Sequence, residues 1–443
     1  MAGTRRAAGR RTTRRDVGAA VAGGLGAAGL AACGWGATGA GGGARAPTTL
    51  PAATIRYLSD NAGPRGDVFA KTVIPGFAER YPQITVQNEP IEFGQLYTRI
   101  TAEAAADTLA DVVRGNQRWH RTLIPQKVPL ALDERIKAST LNLKEMSAAL
   151  LKPWSDPAGK VYGLPDEIAI YATCYAVPLF QQRGLKEPAA GWTKDDLLAA
   201  ARELTAAGEG RWGWYDLPTA GSPLMEGWFA ANGGKILADD LATSVVNSPQ
   251  NVEVLEFWAA LRHRYRVAPM PEERKIADWN EGRVAMRWIG PGDIPNIKRD
   301  TQVPTALAEM PRFKQQGNAI SGGGLFVGAR SKAPDAAFAF LAFLVSQETQ
   351  LTVARENGWL PSFTPTLARY LEAAAPPPLN PKAFLDGLPY AVTPSLVLVP
   401  GKFSQLNDPF VQLLDRIWLR NEPVKPVLDE LKAIQDTVLA QPA

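Results

Sequence analysis

Thr54-Ile55-Arg56-Tyr57-Leu58 alternates apolar and polar side chains like a half-buried strand, and Ser59-Asp60-Asn61-Ala62-Gly63-Pro64 is the turn that ends it. The next stretch, 67–80, carries Val68, Phe69, Val73, Ile74 and Phe77 at helical spacing. Ile84-Thr85-Val86 is a second strand, 93–106 a second helix, and Asp111-Val112-Val113 a third strand that runs into a polar loop at 114–118. Strand and helix alternate. That order predicts an α/β lobe built on a largely parallel sheet.

Upstream of this unit the composition changes. Residues 34–51 are rich in Gly, Ala, Thr and Pro and carry one charge, Arg45, as a flexible tether does. Before them come a basic head ending Thr13-Arg14-Arg15-Asp16, an uncharged run at 17–32, and Leu30-Ala31-Ala32-Cys33. A charged head, a short apolar run and small residues are the marks of an export signal. The paired arginines suggest the twin-arginine route. The ending looks like a bacterial lipobox, with Cys33 lipidated as the new first residue. The run is short of the ~20 residues that a membrane span needs. The expectation is a signal at 1–32, a lipidated tether at 33–52, and everything after it outside the cytoplasm.

The chain has 443 residues and a formal net charge of +4. Its length calls for at least two lobes. Arg5, Arg6, Arg10, Arg11, Arg14 and Arg15 against Asp16 place +5 in the signal, which leaves about −1 for the rest. Bulk charge therefore gives the mature protein no reason to seek nucleic acid. With Cys33 assigned to lipid, Cys174 stands alone in the apolar run 168–177, and an inert buried thiol is expected.

Downstream, Thr193 and Asp196 cap a helix bearing Leu197, Leu198, Ala201 and Leu204. Residues 249–264 read as a helix with Val252, Leu255, Trp258 and Ala259 buried, and 334–350 as an apolar helix covered on most sides. A Pro-rich break spans 373–381, and helices at 409–419 and 424–439 close the chain. Catalytic signatures are missing. There is no His-Glu-x-x-His, no paired cysteines, no phosphate loop, no Gly-x-Ser-x-Gly elbow and no Ser-x-x-Lys, and His120 and His263 stand far apart. No metal, cofactor or catalytic residue is expected, although two carboxylates flanking a sugar ring would escape such a search.

From Lys160 a succession of motifs becomes specific. Lys160-Val161-Tyr162-Gly163-Leu164-Pro165 is followed by Leu179-Phe180-Gln181-Gln182-Arg183-Gly184-Leu185, Trp192 and Gly210-Arg211-Trp212-Gly213. Then come Asn232-Gly233-Gly234, Val246-Asn247-Ser248-Pro249, Asn280-Glu281-Gly282-Arg283-Val284-Ala285-Met286 and Gly290-Pro291. Ser321-Gly322-Gly323-Gly324, Ser331-Lys332-Ala333-Pro334 and Asn357-Gly358-Trp359-Leu360-Pro361 complete the series. In this order it resembles the family-1 extracellular solute-binding proteins, the receptors of ABC-type sugar importers, over nearly all of the mature chain. The resemblance implies a two-lobed, periplasmic-binding-protein type II-like α/β fold with three interlobe crossings and a central ligand cleft. The crossings are expected near Ile168, near 307–310 and near 358–361. One lobe then takes 53–167 plus 310–357, and the other 168–309 plus 358–443. Three departures stand out. Tyr175-Ala176 replaces the usual Tyr-Asn, Gly292-Asp293 follow Gly290-Pro291 where an aromatic is common, and Trp192 lacks the Pro-x-Thr-Trp entry.

Ligands in open α/β lobes sit at the carboxyl ends of strands. Asp60, Asn61 and Gln117 could pair with adjacent sugar hydroxyls. Trp119, Tyr171, Trp228 and Trp288 could cover a ring face, and Gly323 in its glycine triplet could let backbone approach closely. The implied function is to capture a sugar as a monomer and present it to ABC permease subunits. The rivals are a polyamine, peptide or other small-solute receptor on the same fold, a sensor subunit, and a secreted glycoside hydrolase.

Overall fold

A computed structural model of the chain describes residues 50–61, 64–217, 223–274, 278–294, 297, 303–373 and 379–442. The signal, Cys33 and nearly all of the tether lie outside the described residues. The strands are β1 (Ala53–Ser59), β2 (Ile84–Pro90), β3 (Val112–Asn116), β4 (Leu164–Pro165), β5 (Ala172–Ala176), β6 (Trp212–Trp214), β7 (Val284–Ile289), β8 (Thr305–Ala308), β9 (Asn318–Ala319), β10 (Gly323–Val327) and β11 (Ala391–Val392).

Two sheets organise them. The first has the order β2-β1-β3-β10-β4 and the second β6-β7-β5-β8, while β9 and β11 form a small pair. β1 runs parallel to β2 and β3, as the alternation of strand and helix predicts. β10 is antiparallel to both β3 and β4. It departs from the expected parallel order because it enters from the other sheet and runs away from the junction. In the second sheet β5 is antiparallel to β7 and β8, and only β6 and β7 are parallel.

The pleat of β1 sends alternate side chains to opposite layers. Ile55 and Tyr57 face a core with Phe77 and Phe340, and Leu58 faces one with Leu96 and Ile100. Phe340 meets Tyr57 edge-on at 5.2 Å and Phe77 at 4.9 Å. Burying one such ring contributes about 1.5–3 kcal/mol. The second sheet carries a core centred on Trp214, Trp228 and Trp258. A third cluster, with Ile168, Ile170, Cys174 and Leu360, lies where the sheets adjoin. Cys174 is fully buried, and burial pushes its thiol up to about 12.

The chain passes from sheet to sheet at three places. The first follows β4, where Ile168 bridges Leu360 and Ala169 bridges Ser321. The second is at 319–323, about ten residues later than expected. β8 still pairs with β5, and Met310 and Phe313 remain in the second core. Gly317 packs so closely on Ala231 that a methyl there would overlap its backbone, so 310–319 stays with the second sheet. At the third passage Trp359 and Phe363 pack in the first core.

The helix expected at 67–80 starts at Pro64 and passes through a π-helical stretch at Phe69–Val73, a helix at Gln117–Leu123 takes up the end of the expected loop, and two further boundaries differ. The apolar helix expected at 334–350 is two helices, Pro334–Leu344 and Gln347–Asn357, because Ser346 caps the second by accepting the Thr349 N–H. The helix expected from Pro409 begins at Phe403, with Pro409 inside it.

Candidate functional site

Three strand ends of the first sheet converge beside the passages. β1 ends at Ser59, and Asp60 follows it. β3 ends at Asn116, whose side chain accepts the Arg118 N–H at 3.1 Å and turns the chain into the helix Gln117–Leu123. β4 ends before Asp166 and Glu167.

Arg114 ties these ends together. Its guanidinium donates to Asp60 at 2.5 Å, to Asp166 at 2.7 and 3.2 Å, and pairs with Glu167 at 2.9 Å. The Trp359 ring lies 4.3 Å from it. Burial opposes the charge on Arg114, but the three carboxylates hold it above the ordinary arginine range. Three acids share one base. Burial pushes the Asp166 carboxyl up to about 6 against the pull of Arg114, and Glu167 adds to the rise.

Beside this knot, Gln117 is 1% exposed, and neither its amide nitrogen nor its amide oxygen has a partner. Asn61 donates to the Tyr57 hydroxyl at 3.4 Å, while its own amide oxygen has no partner. Native interiors rarely leave such groups bare, and ligand hydroxyls could satisfy them. Trp119 is half-buried. It stacks on Phe93 and Tyr97, one helical turn apart, at 5.3 and 5.0 Å.

On the second-sheet side, Tyr171 and Trp288 meet edge to face at 5.6 Å. The Asn318 side chain fixes the Tyr171 backbone, donating to its carbonyl at 2.8 Å and accepting its N–H at 3.3 Å. The Trp288 indole N–H is buried without a partner.

Two expected contacts are corrected. Trp228 is 1% exposed and wedged between Trp258 at 4.6 Å and Phe313 at 6.0 Å, so its rings serve the second core. Gly323 is close to protein rather than open to ligand. A methyl there would overlap the Arg114 guanidinium, and its N–H donates to Glu167 at 3.0 Å. The sequence reading missed Arg114, Asp166, Glu167 and Trp359. A charged residue ending the apolar run Val112-Val113 was the available signal, but its partners lie far off in the chain.

A profile of bacterial extracellular solute-binding proteins matches residues 73–393. The chain belongs to that family. Binding proteins of Brucella abortus (strain 2308) and Brucella suis (biovar 1, strain 1330) are each 23% identical to this solute-binding protein over 322 residues, covering 70% of it and 75% of the relative. Among solved structures, an ABC substrate-binding protein of Listeria monocytogenes in complex with cycloalternan superimposes with a TM-score of 0.77, at 23% identity, covering 88% of this chain and 100% of that one. UgpB of Mycobacterium tuberculosis, in complex with glycerophosphocholine, gives 0.75 at 18% identity, with 87% and 98% covered. The sugar-binding protein MalE of Xanthomonas citri gives 0.73 at 18%, with 87% and 97% covered. The fold is the two-lobed α/β periplasmic-binding-protein fold. The family binds solutes and is not enzymatic, so the hydrolase alternative falls away.

Proposed function

We propose that this solute-binding protein captures a carbohydrate between its lobes, outside the cytoplasm, and presents it to the permease of an ABC importer. The observation that carries the reading is the pairing of the bare, buried Gln117 amide and the unpartnered Asn61 amide oxygen with aromatic faces on both sides, Trp119 on one and Tyr171 with Trp288 on the other. Amides match hydroxyls and aromatic faces match the C–H side of a sugar ring. Sugar ligands in the names of similarly folded proteins agree with it. A polyamine would want free carboxylates. Asp60, Asp166 and Glu167 are instead engaged by Arg114. The protein acts as a monomer tethered by lipid on Cys33 after twin-arginine export.

The test is a thermal-shift screen of the mature protein against mono- and oligosaccharides, polyamines and amino acids. A ligand at 100 times its Kd adds about 2.7 kcal/mol of stability. A shift with one sugar class, the sugar recovered intact, supports the reading; a shift with polyamines alone ends the carbohydrate claim. Membrane retention lost in Cys33→Ala tests the anchor.

A further inference from the structure

Three arginines follow one another along the end of β3 and the helix after it, and they are treated differently. Arg114 is held by three carboxylates. Arg121 donates to the Lys152 carbonyl at 3.1 Å. Arg118 has neither: among the described residues no carboxylate pairs with its guanidinium and no oxygen accepts from it. It is half-buried, with the Phe403 ring 5.9 Å away. Among the described residues, the ionisable side chain that acts on its charge is Tyr171, on the second-sheet side of the junction. Burial pulls its pKa below the ordinary arginine range.

A half-buried arginine without a protein acceptor leaves its hydrogen bonds to water, and a ligand oxyanion can take that water's place. Its planar fork matches a carboxylate or a phosphate by two parallel hydrogen bonds. A second, independent feature adjoins it in the chain. The Gln117 amide, 1% exposed, has no partner for either atom. On the other flank stands the Trp119 platform. Gln117, Arg118 and Trp119 are successive residues of the helix Gln117–Leu123, so their side chains leave it in different directions, and Arg118 is the one set against the second-sheet side, at Phe403.

We propose that the ligand of the cleft carries an oxyanion, a carboxylate or a phosphate ester, which pairs with Arg118. This rests on the reading of the cleft as the ligand site and narrows the solute class to acidic sugars and sugar or polyol phosphates. The acids around Arg114 do not oppose it, because none of them is near enough to act on the charge of Arg118.

The experiment is calorimetric titration of the full mature protein with D-glucose, D-glucuronate, glucose 1-phosphate and inorganic phosphate, at low and at physiological salt. At least one of the two sugar anions is expected to bind tenfold or more tightly than glucose, with affinity falling as salt rises. The better anion tells carboxylate from phosphate ester. Arg118→Gln should cost that anion at least tenfold and change glucose binding less than threefold, and Arg118→Lys should restore part of the loss. Equal binding of glucose and both anions overturns the proposal and leaves the carbohydrate reading standing, as does an equal loss of neutral and anionic ligands in Arg118→Gln. A response to polyamines alone in the thermal-shift screen overturns both. If no anion, phosphate included, binds wild type better than Arg118→Gln, the proposal is also wrong.

Discussion

Gln117 separates binding from stability at a single residue. Its amide makes no internal hydrogen bond, so replacing it by leucine, of similar size, removes no protein hydrogen bond. Removing a bare buried polar group is neutral or stabilising. Gln117→Leu should therefore keep or raise the melting temperature while weakening ligand binding tenfold or more, a split that melting curves and titration on the same sample will reveal. Trp228 and Trp288 should divide in the opposite sense. Trp228→Ala opens the second core and should cost about 3–5 kcal/mol in urea unfolding. Trp288→Ala, at a half-buried position beside Tyr171, should cost less stability and more affinity. Nothing in the chain around Trp228 distinguishes it from Trp288. The helix Pro223–Ala231 is apolar on most of its faces, so its inward side cannot be read from spacing. Gly323 was legible as a place of close approach, but the Arg114 side chain that approaches it was not.

Among the elements, the segment 393–402 joins parts that the sheets keep separate. The Thr393 hydroxyl donates to the Ala149 carbonyl at 2.7 Å, and the Gly401 N–H donates to Thr122 at 2.9 Å. Between them the Ser395 N–H donates to Glu226 at 2.7 Å, so this segment links the helix Pro223–Ala231 to the helix Gln117–Leu123 that begins with the bare amide. Burial pushes the Glu226 carboxyl up to about 7 from an ordinary 4.5, with the Ser395 hydrogen bond opposing the rise. The folded protein then holds this proton more tightly than the unfolded chain. The stability it contributes is full below about pH 4.5 and is lost as pH rises through about 7, a swing of ~3 kcal/mol at most. The stability of Glu226→Gln relative to wild type should be most favourable above pH 7 and decline steadily toward pH 5, as chemical denaturation across that range will show. The first three strands and the helices at 194–204, 249–263 and 424–439 were legible because their periods are local, whereas the strands of the second sheet lay inside apolar runs that show no period. The break at Ser346 was hidden inside an apolar run, and the early start at Phe403 behind a proline usually read as a boundary.

At the level of the whole molecule, Arg114 touches all three passages between the sheets. Asp166 and Glu167 belong to the first, Gly323 to the second and Trp359 to the third. Removing the base would strand three buried or half-buried acids, and Arg114→Met should cost about 3–5 kcal/mol in denaturant titration. Two lobes were legible from length and from the order of motifs. The place of the second passage was not, because nothing local marks 310–319 as bound to the helix behind it. The order of strands also has a consequence in time. β10 lies between β3 and β4, yet it is made long after both. Translation at about 5–20 residues per second leaves that slot empty for roughly 8–30 s. During this interval β3 and β4 each present an unpaired edge, the kind of surface on which chains aggregate. The nascent first lobe needs shielding until the second is almost complete, and a fragment ending at 167 would carry the open slot permanently.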